Sequence, residues 1–238
     1  MSKTRKQYFV RLFGRIMIFI VCLIMCFKPQ FYDVLEGMNF FNGFHILHIL
    51  WLIWVFDMIL QIIPIKNKAV LGSQKLFANR FLPIREKINY KALKNYVKNV
   101  TASAYKVFIV WVLLVVVIGV LYCFNIINKT WLFMFSFFFY VCDLVCVLIW
   151  CPFRLIMKNK CCTTCRIFNW DHLMMFSPLV FCGGFFSISL VLMAFLAWLV
   201  WELCILLYPE RFSEMTNVAL RCSNCTDKLC TQYCKKLR

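Results

Sequence analysis

His172-LMMFSPLVFCGGFFSISLVLMAFLAWLVWELCILL-Tyr208 decides the fold. The stretch carries one histidine, His172, one acid, Glu202, and no Lys, Arg or Asp. At 1.5 Å per residue its length is about 55 Å, more than one crossing of a ~30 Å hydrocarbon layer needs and barely enough for two. Gly183-Gly184 is the backbone break available after Pro178. If the chain folds back at the glycines, two crossings result and the tail that follows lies on the side where the stretch began. If the first half lies along or dips into one face, a single crossing sends the tail to the opposite side. The tail, 209–238, has six basic residues against Glu210, Glu214 and Asp227, which favours the basic side and therefore the fold-back.

Working outward, the whole composition is that of a bilayer protein. Hydrophobic residues make up 63% of the 238 residues, aromatics 18%, and mean hydropathy is +0.77, against about 45–50% apolar residues in soluble domains. Lys and Arg outnumber Asp and Glu by 27 to 10. The excess lies between apolar blocks, so it reads as a topology signal and excludes a nucleic-acid footprint. Spans are expected at about 10–28, 44–65, 107–127 and 131–150, the first an uncleaved anchor whose Arg11 and Arg15 snorkel toward the basic side. Segment 29–43 holds Asp33 and Glu36 without a basic residue and reads as external, whereas 66–106 holds ten basic residues and one acid, Glu86. The expected fold is all-α: a polytopic helical bundle of five or six transmembrane helices in a cell membrane, its N-terminus cytoplasmic. Residues 1–208 form the bundle, with a basic loop 66–106 and a Cys loop 151–171, and 209–238 form a Cys-rich polar tail.

Within the basic loop, Lys87, Lys91, Lys94 and Lys98 recur at helical spacing beside a stripe of Tyr90, Leu93, Val97 and Val100. A helix so patterned can lie on the inner surface with its ammonium groups among anionic headgroups, or pack on the bundle from the cytosol.

Seven of the 15 cysteines fall in two polar windows: Cys161, Cys162 and Cys165 in the loop, and Cys222, Cys225, Cys230 and Cys234 in the tail. Cys162-x-x-Cys165 with Cys222-x-x-Cys225 has the form of a split zinc ribbon, because two thiolates two residues apart grip one ion from a tight turn and two such pairs complete a tetrahedron. Cys161, Cys230 and Cys234 are alternates. Zinc would then pin loop to tail and present a basic face, Arg166 with Lys228, Lys235 and Lys236, to lipid or to a protein partner. The same pairs could instead cycle between dithiol and disulfide. The other eight cysteines (Cys22, Cys26, Cys123, Cys142, Cys146, Cys151, Cys182 and Cys204) read as small hydrophobes in or beside apolar stretches. Asp171-His172 reads as a helix start capped by the aspartate, with metal ligation as the alternative.

Asp57, Asp143 and Glu202 fall inside or near the ends of spans, where a charge is costly and is either paired or functional. His45, His48 and Gln61 are polar companions on the second span. Together they suit a transport path for an ion or small solute, or interhelical hydrogen bonds that fix the bundle. Phosphate-loop, nucleophile-elbow and HExxH patterns are absent from the sequence.

The run Cys161-Cys162-Thr163-Thr164-Cys165-Arg166-Ile167-Phe168-Asn169-Trp170-Asp171, with Pro209-Glu210-Arg211-Phe212 and Cys222-x-x-Cys225, resembles a family of bacterial multi-pass membrane proteins without an assigned activity. The likeness covers mainly the C-terminal third. It implies a bacterial inner membrane and brings no function with it.

Overall fold

The computed structural model describes residues 3–63, 77, 80–157 and 165–224. Among them the chain is an all-α membrane bundle. Four helices are long and apolar enough to cross a bilayer: α1 (Lys3–Met25), α3 (Tyr90–Cys123), α4 (Lys129–Leu148) and α7 (Phe185–Leu207). A shorter apolar helix, α2 (Ile46–Ile62), joins them. Two small helices, α5 (Phe153–Met157) and α6 (Asp171–Phe176), lie between α4 and α7.

Capping marks where the helices begin. The side chain of Asn89 accepts the Ala92 N–H at 3.1 Å ahead of α3, and Asn128, the start of an Asn-x-Thr triplet, accepts the Trp131 N–H at 3.1 Å ahead of α4. Asn125 turns the α3–α4 connection at φ 56°, a left-handed conformation that asparagine tolerates well.

Two ends of the bundle can be told apart by what meets there. At the far end the 3-10 helices Pro29–Leu35 and Asn39–Phe41 join α1 to α2. Lys129, at the start of α4, pairs with Glu36 at 3.0 Å. Gly183, at φ 72°, and Gly184 sit at this end too: the Phe185 N–H donates to the Gly37 carbonyl at 2.9 Å, and a methyl group on Gly184 would overlap the Leu35 carbonyl. The glycine pair is therefore a true turn, and its lack of side chains is what allows the backbones to meet.

At the other, basic end, Arg166 reaches Thr101 of α3 and Glu202 of α7, and Gln61 of α2 reaches the Phe168 carbonyl. The tail returns here. Pro83 and Asn217 form an antiparallel bridge, and the Val218 N–H donates to the Leu82 carbonyl at 2.8 Å. Among the described residues six segments run between the two ends: the four long helices, α2, and a short pass made of α6 with the 3-10 helix Ser177–Phe181, fifth in chain order. That pass measures only about 19 Å at the rises of the two helix types. It suffices because α6 starts inside the bundle.

The core is aromatic. Trp54 is fully buried and meets Phe133, Phe137, Phe176 and Phe186 with ring centroids 5.1–6.4 Å apart. This layer fills the half of the bundle nearer the far end.

Three expectations from sequence change. Lys91, Lys94 and Lys98 belong to the first turns of α3, which continues without a break into the third span; Lys87 precedes it. The basic stretch is an extension of a crossing helix, since hydropathy marks where lipid begins and not where helix begins. Arg15 does not snorkel. Its side chain turns inward, because the face of α1 that carries it packs on α4 where acids wait. Arg166 is buried at 7% exposure, so it is not part of a basic face.

Candidate functional site

The site grows from Arg15. Its Nη1 donates to the Tyr140 carbonyl at 2.7 Å and to Asp143 Oδ2 at 3.2 Å, its Nη2 lies 3.8 Å from Asp57, and the guanidinium sits 3.5 Å over the Tyr140 ring. From α6, His172 adds Nε2 at 3.5 Å from Asp57 and Nδ1 at 3.0 Å from Asp171. Gln61 closes the set by donating to Asp171 at 3.0 Å. Counted along their helices, Arg15, Asp57 and Asp143 stand about 15–21 Å from the far-end termini of α1, α2 and α4. The network is therefore inside the hydrocarbon depth, on the basic side of the aromatic core.

Asp171 does not cap α6 in the expected way. It is the first residue of the helix and its carboxylate is drawn sideways to Gln61 and His172, although it does accept the His172 N–H at 2.8 Å. Exposure distinguishes the members. The side chains of Arg15, Asp143, Asp171 and His172 are 9–16% exposed, whereas that of Asp57, at 41%, is the most exposed of the set.

The remaining polar residues expected from sequence lie elsewhere. Glu202 forms its own cluster at the basic end, where it accepts from Arg166 and from Trp170 Nε1 at 2.7 Å. His45 and His48 are at the far end, where His48 Nδ1 accepts the His45 N–H at 2.9 Å and Nε2 meets the Phe40 carbonyl at 2.7 Å, a pattern that puts the ring proton on Nε2. These two histidines fix the entry to α2.

Beside the network lies a cavity of about 380 Å³, enclosed by α3, α4, α5, α6 and the 3-10 helix Arg166–Asn169. Its walls are almost wholly apolar, with Trp111, Phe139, Phe153 and Met174 prominent. Asp143 and Asp171 line it as well, so one pair of carboxylates belongs to both the ionic network and the cavity. Val110, Leu114 and Phe138 line it while being 54%, 41% and 48% exposed, which places an opening between α3 and α4 on the surface that faces lipid.

Four cysteines also line this cavity: Cys142, Cys146, Cys151 and Cys165. Cys142 and Cys146 are one helical turn apart on α4. Cys151 follows the turn that ends α4, and its thiol is in hydrogen-bonding contact with that of Cys146. Neither forms a disulfide in the structure. The Cys151 thiol is lowered to about 7, first by this hydrogen bond and then by the backbone N–H groups of Phe153 and Arg154. Of the expected zinc ligands, Cys165 is in the cavity wall and Cys222 begins a short 3-10 helix; Cys161, Cys162, Cys225, Cys230 and Cys234 lie outside the described residues. Among the described residues no group of three or more His, Cys, Asp or Glu side chains is arranged to hold a metal ion.

Arg15 and His172 were hidden in the sequence as network members. Both lay in view as isolated charges in apolar runs, and the signal that pairs them is depth: Arg15, Asp57 and Asp143 fall at similar distances from their helix ends. No protein-family model, no curated protein and no solved structure matches the chain.

Proposed function

We propose that this membrane protein binds a lipophilic molecule in the cavity between α3 and α4 and exchanges protons with it through Asp143 and Asp171. The observation that carries the reading is the double membership of those two carboxylates, which line the cavity and join an ionic network whose most exposed member is Asp57. Three carboxylates face the Arg15 guanidinium and the His172 imidazole, with the Arg11 charge one turn along α1 also acting on Asp57, so the set balances only while it holds one proton on His172 or on a carboxyl group. A buried net charge is costly, so the network is a natural holder of one exchangeable proton. Between it and the far end stand the packed rings around Trp54, where among the described residues no further carboxylate or imidazole is buried and the polar groups are isolated hydroxyls such as Ser136 and Ser187. That arrangement favours local delivery over passage across the bilayer. By the positive-inside rule the basic end, and with it Asp57, faces the cytoplasm of a bacterial cell, where the lysines at the start of α3 would meet anionic headgroups.

The test is saturable binding of a neutral lipophilic fluorophore, N-phenyl-1-naphthylamine, to the purified protein in detergent. Leu114→Trp, which fills the opening, should abolish saturation, and Asp143→Asn should remove the pH dependence of binding. Purely linear partitioning, unchanged by Leu114→Trp, would refute the reading.

A second reading concerns the tail. Its described part meets the loop 80–89 at the end where Arg166 and Cys165 lie, and this shared location supports a zinc ion held between the two Cys windows. Near-stoichiometric zinc in the purified protein, lost in Cys222→Ser/Cys225→Ser, is the expected outcome; a folded, zinc-free protein would dismiss it.

A further inference from the structure

The cavity holds two features that lipid binding alone does not require: thiols gathered on one wall and protonatable groups beside them. Cys146 and Cys151 are five positions apart on either side of the turn after Leu148, and both line the cavity. Two neighbouring thiols can become a disulfide, and doing so releases two electrons and two protons. A cavity open to the bilayer limits the acceptor to a molecule dissolved in lipid. Aromatic side chains in the wall, with Trp111 set edge-to-face against Phe139 and Phe153, suit edge or face contact with a planar ring. Membrane-soluble, planar and a two-electron, two-proton acceptor together describe a quinone.

We infer that the cavity takes a lipid-soluble quinone and that Cys146 and Cys151 are the dithiol that reduces it, an assignment resting on the ligand-binding reading above. In the reaction both S–H bonds break and one S–S bond forms between the two Sγ atoms. The two electrons pass to the quinone ring and its two oxygens gain one proton each, giving the hydroquinone. Asp143 and Asp171 are placed to carry those protons, and Asp57, the most exposed carboxylate of the network, to rebalance it. Cys151 initiates as the thiolate, because it is the more acidic thiol of the pair outside the span.

The probe is decyl-ubiquinone, whose ring carbons are all substituted so that thiol addition is blocked. Reduced, desalted full-length protein in detergent under argon is mixed with it, and three signals are read: tryptophan quenching for binding, loss of quinone ultraviolet absorbance for reduction, and alkylation mass mapping for the thiols. The expected result is one quinol per protein and a disulfide mapped to Cys146 and Cys151. Cys146→Ser and Cys151→Ser should each quench normally and form no quinol, whereas Cys123→Ser/Cys204→Ser, at cysteines outside the cavity lining, should behave as the unaltered chain. Saturable quenching with both thiols still alkylatable would overturn the dithiol assignment and leave the binding reading standing. Absent quenching, or displacement by phospholipid with no redox change, would overturn both the quinone and its chemistry.

Discussion

Replacing Arg15 with methionine removes the one guanidinium shared by Asp57 and Asp143 while keeping the bulk of the side chain. The cost can be worked from the geometry. Asp143 is 16% exposed and loses its cation at 3.2 Å, whereas Asp57 is 41% exposed, lies farther away at 3.8 Å and keeps His172 at 3.5 Å. Most of the penalty therefore falls on Asp143. Breaking a buried pair costs about 3–5 kcal/mol, and the lower figure applies here because the freed carboxyl can take up a proton. A loss of about 3 kcal/mol is roughly a hundredfold in the unfolding equilibrium. Asp143→Asn alone leaves Arg15 on the Tyr140 carbonyl, the Tyr140 ring and Asp57, and should cost about 1–2 kcal/mol as a lost charge-assisted bond. The double variant should fall well short of the sum, with a coupling of roughly 2 kcal/mol. The assay is equilibrium unfolding in mixed micelles titrated with sodium dodecyl sulfate, followed by tryptophan fluorescence. Additivity to within about 0.5 kcal/mol would show that Arg15 and Asp143 do not share an interaction, and the network would lose its centre.

Gly184→Ala should destabilise by about 1–3 kcal/mol in the same titration, because the added methyl meets the Leu35 carbonyl and the Phe185–Gly37 hydrogen bond must open to make room; an unchanged midpoint would mean the far-end seam is looser than described. Alkylation of Cys151 by a small permeant reagent should rise as pH increases through about 7, the thiolate being the reactive form above that value. Cys146→Ala, which deletes the hydrogen bond, should move the midpoint upward, and a profile that stays in place would assign the acidity to the backbone N–H groups instead. Arg166→Leu should harm folding yield more than Glu202→Gln, since the first strands a buried carboxylate while the second keeps one carbonyl oxygen to accept from Arg166 or Trp170. Equal yields would place Glu202 in contact with water.

The positions of the crossings were legible because hydropathy reports lipid directly, and the glycine pair was legible because a turn without ionisable residues needs a backbone that can make it. Arg15 was misread for a reason that generalises. From one helix alone, an arginine about a turn and a half into the expected span looks as if it stretches to the nearest headgroups, and only the packing of α1 on α4 reveals a closer acid. Asp171 was recognisable as a helix start, but a local rule cannot foresee that Gln61 competes for its carboxylate. The contact of Cys146 with Cys151 depended on a turn of three residues past the end of α4, where sequence signals are weakest. Arg166 next to a cysteine window looked exposed for want of any sign that Glu202, 36 positions away, sat beneath it.

The short fifth pass has a consequence for how the protein is made. A segment of about 19 Å beginning with Asp171-His172 has too little greasy length to partition into a bilayer by itself. It must enter as a hairpin with α7, after α2 and α4 have already delivered the acids that greet its histidine. A ribosome-bound chain halted before Gly184 should leave this segment accessible to water-soluble reagents, and synthesis of the remaining 23-residue helix should pull it in.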